Sequence, residues 1–259
     1  MRKIAPTNLK NTNILTIIKF MDKLLQYIQS TFNSAIDLDA KQCSANSKLC
    51  LLTKQLYNIY VTPIKFQKLK FKQNEYIQHI QKATFEWSKA LNHKIQFKII
   101  DTTKNADIKV YWGKSTIEYA GMQYTECNSS INTLCVTIGI VNNDYTTYTS
   151  NEVYRIILHE FGHIMGLGHS PSKDDVMHNL WKHPDKLSFN DKLVLNLIYS
   201  IGNGKSYYEF ENYINDYIQK SLKNTMQEIN TDKNLLNDLY EIGNLNKHIL
   251  LQQNINIPK

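Results

Sequence analysis

The strongest constraint on this chain is the spacing of three histidines between residues 159 and 169. They follow the order His-Glu-x-x-His-x-x-Gly-x-x-His, which begins at His159 and ends at His169. On a helix, residues four apart leave the same face, so the imidazoles of His159 and His163 can share one metal ion. Gly166 accepts backbone conformations that other residues resist, which lets the chain leave the helix and return His169 as a third ligand. Three histidines with an open fourth position are typical of a catalytic zinc site, because structural zinc sites have four protein ligands.

Glu160 is the residue of this motif that suits acid–base chemistry. It follows His159 directly, and we expect its carboxylate to lie beside the metal, where it can deprotonate a bound water. The alternative is a pair of histidines that are only solvated or buried side chains of a helix. The spacing Thr149-x-x-Glu152 is that of a capping box at a helix start, which favours a helix here. An apolar stripe on a different face from the histidines is suited to packing against a sheet: Val153, Ile157, Phe161 and Ile164.

The motif and the residues after it resemble the metzincin metallopeptidases. Metzincins carry a methionine on a tight turn beneath the metal, and Met177 follows the third histidine at a suitable distance. Ser170, directly after that histidine, is similar to the choice of the matrixin subfamily. Residues 187–199 resemble the helix that closes matrixin catalytic domains. The resemblance covers about residues 55–202, with weaker matches at residues 83–87 and 106–110.

Several residues depart from the matrixin pattern. Matrixins usually continue Met-x-Pro-x-Tyr, which lines the pocket for the substrate side chain after the cleaved bond. Here Asn179 stands in place of the proline and Trp181 in place of the tyrosine, so both are candidate pocket residues of unknown specificity. The loop that binds calcium and a second zinc in vertebrate matrixins is not recognisable between residues 112 and 141, so one catalytic Zn²⁺ is expected and further ions are not. The cysteine-switch sequence Pro-Arg-Cys-Gly is absent, although Cys43 lies upstream of the domain.

The resemblance implies a zinc-dependent endopeptidase with an α+β, metzincin-like catalytic domain. The implied architecture is a mixed twisted sheet with two main helices, a further helix after the methionine turn, and helical extensions at both ends. His159, His163 and His169 are the implied zinc ligands, Glu160 is the base, and Met177 is a hydrophobic floor below the metal. The implied substrate is a protein or peptide. The alternative is a zinc-binding module without peptidase activity that acts through its helical extensions.

The placement of the basic residues, more than their number, argues against a nucleic-acid partner. The 259 residues include 30 basic and 23 acidic side chains, which gives a net charge of +7. The lysines are scattered apart from residues 65–72, so a solvated basic surface is expected. No stretch approaches the ~20 apolar residues of a membrane span. The oligomeric state is left open.

Four cysteines form two local pairs, Cys43 with Cys50 and Cys127 with Cys135. The second pair flanks a polar turn at residues 128–132 between two strand-like segments, which favours a disulfide across a hairpin. Four free thiols in a reducing cytosol are the alternative. With a disulfide, the expected location is secreted or extracellular. No clear signal peptide supports export, because the apolar run at the N-terminus is short and interrupted by Lys19.

Three parts are expected along the chain. Residues 1–54 are a helical leader or pro-segment, residues 55–202 the peptidase domain, and residues 203–259 a helical C-terminal extension. That extension is expected to pack on the domain, with partner binding as the alternative. An extended substrate could pair with an edge strand formed by residues 117–125 or 134–141. The expected domain elements are a helix at 77–91 and strands within 57–71 and at 95–100, 107–112, 117–125 and 134–141.

Overall fold

The alternating apolar segments of the sequence form β-strands that lie in one sheet. The computed structural model describes residues 19, 22–33, 48–115, 121–128, 131–142, 144–179, 184–213 and 216, and between residues 121 and 132 it describes the backbone alone. Within these residues the strands are β1 (Leu56–Val61), β2 (Gln96–Ile100), β3 (Ile108–Lys114), β4 (Gly121–Asn128) and β5 (Ile131–Val141).

The sheet is mixed, with the strand order β2-β1-β3-β5-β4. Strands β1, β2, β3 and β5 run parallel, while β4 pairs antiparallel with β5 in a hairpin. This order places β4 at one edge of the sheet and β5 inside it. Of the two segments predicted to form a substrate-binding edge, only residues 117–125 overlap an edge strand of the described sheet, namely β4 at residues 121–125.

Two helices pack on each other in the core, α2 (Gln73–Ala90) and α3 (Ser150–Ile164). Trp87 of α2 is fully buried, and its indole N–H donates to the Leu158 carbonyl of α3 over 2.9 Å. A 3₁₀ helix (Gln67–Lys72) precedes α2, and α4 (Phe189–Ile201) follows residue 177. The predicted α+β arrangement is therefore confirmed. The predicted apolar stripe of α3 is fully buried: Val153, Ile157, Phe161 and Ile164.

The capping box predicted for α3 is present. The Glu152 N–H donates to Thr149 Oγ1 at 3.3 Å, and the Thr149 N–H donates to Glu152 Oε2 at 2.8 Å. A second capping box begins α4, where Ser188 and Asp191 exchange hydrogen bonds of 3.0 Å each. The helix that carries the first two histidines and the helix that follows the motif thus both begin at a capping box formed by side chains.

The prediction of a strand within residues 57–71 is wrong beyond residue 61, and residues 67–72 form a 3₁₀ helix instead. Strand β1 ends at Val61, two residues before Pro63, which has no N–H to donate to a neighbouring strand. The Ile64 N–H donates instead to the side chain of Gln73 at 2.8 Å. Because Ile64 is buried, its apolar character reflects packing in the core and not membership of a strand.

The predicted disulfide across the β4–β5 hairpin is also wrong. The register places Cys135 opposite Tyr124 and Cys127 opposite Asn132, so the two cysteines are offset by three residues along the hairpin. At roughly 3.3 Å per residue, their Cα atoms lie beyond the about 7 Å that a disulfide can span. Cys50 does take part in a disulfide. Cys43, the cysteine nearest to Cys50 in the sequence, lies outside the described residues.

Residues 22–33 form a helix, α1, which precedes β1 in the chain. The N-terminal part of the predicted leader helix lies outside the described residues. The chain divides into two units, Met1–Tyr207 and Tyr208–Lys259. In the second unit residues 208–213 and 216 are helical, and the rest of the predicted C-terminal helices lies outside the described residues. No helix of the described part is both long enough and apolar enough to cross a membrane.

Candidate metal centre

Three imidazoles converge at the C-terminal end of α3. His159 and His163 lie one turn apart on this helix, and His169 lies in the loop that follows it. Each offers a ring nitrogen, and these nitrogens lie within 4.8 Å of one another. His159 is buried, whereas His163 and His169 are partly exposed. The structure therefore brings together the three histidines that the sequence predicts as metal ligands.

Backbone carbonyls fix the orientation of two of these rings. Nδ1 of His159 lies 2.7 Å from the Val176 carbonyl oxygen, and Nδ1 of His163 lies 2.8 Å from that of Leu167. A carbonyl oxygen only accepts hydrogen bonds, so Nδ1 carries the proton in both rings and Nε2 is left to bind a metal. A donor set of neutral imidazole nitrogens fits Zn²⁺, with the fourth tetrahedral position left for water or substrate.

Gly166 turns the chain from α3 toward His169. Its φ of +93° lies in the region that other residues resist, as predicted. A Cβ at this position would lie 2.7 Å from Leu51 Cδ2 and 3.0 Å from the carbonyl oxygen of Cys50. The segment before β1 therefore packs directly against the turn, which leaves no space for a side chain there.

Helix α1 contacts the loop that carries the third imidazole. The His169 N–H donates to Ser30 Oγ at 3.0 Å, and the Gly168 N–H donates to Thr31 Oγ1 at 3.1 Å. Burial lowers the pKa of His169, and the charge of His178 lowers this pKa further. Both effects favour the neutral ring, which is the form that binds a metal.

Glu160 lies beside His159 on α3 and is only 4% exposed. Burial raises the pKa of its carboxyl group to about 8, because a low-dielectric surrounding disfavours the charged form. A carboxyl group of this kind can gain and lose a proton near neutral pH, which suits general acid–base catalysis. A cation bound by the neighbouring imidazoles would lower this pKa again.

Met177 lies on the tight turn below α3. Its side chain is fully buried and packs on Gly162, where a Cβ would overlap the methionine sulfur. The Ser170 N–H donates to the Met177 carbonyl at 2.8 Å, and Ser170 Oγ donates to Asp175 at 2.5 Å. These two bonds join the turn to the residue that follows the third histidine.

Asp191, in the first turn of α4, holds the methionine turn in place. Its carboxylate accepts hydrogen bonds from the Val176 N–H at 2.9 Å, the Ser188 N–H at 3.0 Å and the Tyr27 hydroxyl at 2.9 Å. Burial raises the pKa of Asp191, and the hydrogen bonds from Ser188 and Val176 offset part of this rise. One carboxyl group thus joins α1, α4 and the residue whose carbonyl orients the His159 ring.

No sequence pattern indicates the roles of Asp191, Ser30 and Thr31 at this site. The spacing Ser188-x-x-Asp191 marks a helix start, but it gives no sign that the carboxylate also reaches the methionine turn. Ser30 and Thr31 meet partners 139 and 137 residues further along the chain. No local pattern indicates contacts over such a separation.

The predicted pocket residues are described only in part. Asn179 is exposed, and Trp181 lies outside the described residues, so their contact with substrate stays a prediction. His178 forms a parallel β-bridge with Ser170. This bridge pairs His178 with the residue that directly follows His169.

Comparison with known protein families identifies the central part of the chain. The model of the matrixin family, peptidase family M10, matches residues 57–200. This span is more than half of the chain, and it runs from β1 to α4. It contains the three converging histidines, Glu160 and Met177, whereas α1 lies outside it. No curated protein matches the chain.

Proposed function

Because the chain belongs to the matrixin family of metallopeptidases, we propose that it is a zinc-dependent endopeptidase. The observation that carries the proposal is the convergence of three imidazole nitrogens within 4.8 Å of one another. Glu160 supplies a buried carboxyl group next to the first of them. Three neutral nitrogen donors and an adjacent acid–base group are the parts that a hydrolytic zinc site requires.

His159, His163 and His169 would hold the metal ion. When bound, Zn²⁺ supplies Lewis-acid activation of a water molecule and of the scissile carbonyl. The Val176 and Leu167 carbonyls keep the first two rings in the tautomer that presents Nε2. Such hydrogen bonds behind the ligands orient the rings and raise their basicity.

Glu160 acts first as a general base and then as a general acid. Its carboxylate accepts a proton from the attacking water while the water oxygen adds to the peptide carbonyl carbon. The protonated Glu160 then donates this proton to the nitrogen of the leaving amine, so the C–N bond breaks as an N–H bond forms. Met177 takes no part in proton transfer and supports the helix backbone from below.

The proposed substrate is an extended segment of a protein or peptide. Strand β4 forms an edge of the described sheet, and an extended chain can add to such an edge through main-chain hydrogen bonds. Asn179 and Trp181 are proposed to contact the substrate side chain that follows the cleaved bond. We propose residues 55–202 as the peptidase domain and residues 203–259 as its extension.

A location outside the cell fits the cysteine chemistry. The disulfide of Cys50 requires an oxidising compartment, because cytosolic thiols are kept reduced. Secretion is also typical of matrixins. We therefore propose that the enzyme is secreted.

The test is cleavage of an unstructured protein such as casein by the full-length chain. A zinc chelator should abolish cleavage, and added Zn²⁺ should restore it. Glu160→Gln should retain zinc while kcat/KM falls at least about 10²-fold. Glu152→Gln is the matched control, because it makes the same change on the same helix at a position where Gln also serves in a capping box.

Two outcomes would contradict the proposal. Cleavage at the wild-type rate by Glu160→Gln would show that another group is the base. A protein that binds zinc and cleaves no substrate would favour the zinc-binding module instead.

A further inference from the structure

Helix α1 lies outside the residues that match the matrixin family, 57–200, yet it contacts the candidate metal centre. We propose that residues 22–33 are a permanent positioning element of this centre and not a pro-segment that must be removed for activity. Ser30 and Thr31 are the positioning residues. This inference rests on the proposed function, because the residue that they position, His169, is a proposed zinc ligand.

Two hydroxyl groups of α1 bind the main chain beside His169. Ser30 Oγ accepts the N–H of His169 at 3.0 Å, and Thr31 Oγ1 accepts the N–H of Gly168 at 3.1 Å. The Thr31 hydroxyl itself donates to the Tyr27 carbonyl at 3.0 Å, which turns its lone pairs toward Gly168. These bonds fix the backbone from which the His169 ring projects.

Gly168 lets α1 approach this loop backbone to backbone. A Cβ at Gly168 would lie 2.5 Å from the carbonyl carbon of Ser30 and 2.6 Å from the nitrogen of Thr31. Both are main-chain atoms of a helix, which cannot move aside as the end of a flexible side chain can. The φ of Gly168 is not positive, so the close approach of α1, and not an unusual backbone conformation, requires a glycine here.

A third contact links α1 to the first proposed ligand. The Tyr27 hydroxyl donates to Asp191 at 2.9 Å, and the same carboxylate accepts the Val176 N–H at 2.9 Å. The Val176 carbonyl in turn accepts Nδ1–H of His159 at 2.7 Å. Helix α1 is therefore linked to His169 through the main chain and to His159 through Asp191 and Val176, and both links leave Nε2 available for a metal.

The burial of α1 also distinguishes the two roles. A pro-segment that is removed for activity must leave behind a competent metal site. Departure of α1 would instead take away the hydrogen-bond partners of Gly168, His169 and Asp191. It would also expose the surface against which its buried side chains pack, namely those of Tyr27, Ile28, Thr31 and Phe32.

The first experiment measures zinc affinity by competition with a chromophoric chelator, using the full-length protein. The double variant Ser30→Ala/Thr31→Val should bind zinc about 10-fold more weakly or worse, as is usual when groups behind a ligand are lost. Gly168→Ala should weaken binding similarly, although it removes no hydrogen-bonding group. Gln26→Ala changes an exposed residue of the same helix and should have no effect. Thr31→Ser keeps the hydroxyl and should retain the wild-type affinity.

Substitution of Co²⁺ for zinc provides a second measurement, the visible absorption spectrum, which a general loss of stability would not change. A displaced His169 should change the visible absorption of the Co²⁺ protein and lower kcat more than it changes KM. If the double variant does not fold, Ser30→Ala alone and Gly168→Ala give the same comparison. Wild-type zinc affinity and wild-type cobalt spectra in these variants would overturn the positioning role. Absence of zinc binding or cleavage in the unaltered protein would instead overturn the proposed function.

The second experiment separates a positioning element from a pro-segment. A site for a specific protease is placed at residues 38–42 of the full chain, upstream of Cys43, so that after the cut no disulfide at Cys43 tethers the helix. Cleavage at this site should leave α1 bound and activity unchanged, and release of α1 by mild denaturant should lower both zinc content and activity. A rise in activity when α1 leaves would overturn the proposal.

Discussion

The sulfur of Met177 lies 2.1 Å from the position that a Cβ on Gly162 would take, so the turn below the metal-binding helix packs directly against the backbone of that helix. Trp87 approaches the same point from α2, with its Cζ2 atom 2.8 Å from the position of that Cβ. The Trp87 indole N–H also donates to the Leu158 carbonyl at 2.9 Å. Two large buried side chains thus hold the backbone of α3 at the level of the histidines.

Gly162→Ala should therefore destabilise the protein by about 1–3 kcal/mol, because an extra methyl group in a filled core forces its neighbours to move. This loss should outweigh the about 1 kcal/mol by which alanine favours a helix over glycine. In a Met177→Ala background the loss should shrink, since the sulfur is no longer in the way. Denaturant unfolding of the four proteins measures this coupling, and strictly additive effects would contradict the contact.

The buried carboxyl group of Glu160 should make the metal-free protein less stable as the pH rises. Its pKa is about 8 in the folded state and about 4.3 in an unfolded chain, so the folded state binds the extra proton between these values. A raised folded pKa gives stability that is present below the unfolded pKa and is lost as the pH rises toward the folded pKa. From pH 5 to pH 8 the loss should reach up to roughly 4 kcal/mol.

Glu160→Gln isolates this effect, because the histidines titrate alike in both proteins. With a chelator present, urea unfolding should show the variant gaining stability over the wild type as the pH rises from 5 to 8. Added Zn²⁺ should reduce the difference, since a nearby cation favours the carboxylate. An identical pH dependence in the two metal-free proteins would contradict the raised pKa.

Asp191→Asn should lower the stability by about 1–3 kcal/mol, the usual loss when buried donors lose their acceptor. One carboxylate oxygen now accepts two N–H groups and the other accepts the Tyr27 hydroxyl. The asparagine amide has only one oxygen that can accept these bonds. Its NH₂ group would replace the second carboxylate oxygen and would face groups that also donate. The same substitution at exposed Asp185 should change the stability by less than about 0.5 kcal/mol. Thermal unfolding of the two variants measures these changes. Equally small losses in both would argue against the hydrogen bonds assigned to Asp191.

Peptide mapping without reduction should find Cys50 in a disulfide and no link between Cys127 and Cys135. The reason is the hairpin register, which aligns Cys135 with Tyr124. The expected partner of Cys50 is its near neighbour Cys43. A linked Cys127–Cys135 peptide would show that the hairpin pairs in another register.

The parts of the site that the sequence predicts are those set by local geometry. The spacing of His159 and His163 follows from the helical repeat, and the capping box at Thr149 involves residues three apart. Gly166 carries the positive φ that a turn at this point requires. Each of these features depends on neighbours within a few residues, so a single sequence is sufficient to indicate it.

The rest depends on segments that meet only in the folded chain. Ser30 reaches His169 across 139 residues, and Tyr27 reaches Asp191 across 164, distances over which no periodicity carries information. The predicted strand beyond Pro63 failed for another reason. The apolar pattern correctly indicated burial of Ile64, but burial does not distinguish a strand from a packed loop.

The contact of α1 with the loop at His169 sets an order of events for metal capture during folding. His159 and His163 form a two-nitrogen site as soon as α3 exists, because they are one helical turn apart. Ser30 meets His169 only after the chain closes a loop of 139 residues, and such long-range closure comes at an entropic cost that local turns avoid. Full zinc affinity is therefore expected only of a chain whose distant segments have already met. The zinc affinity of newly made protein becomes a measure of how much of it has completed folding.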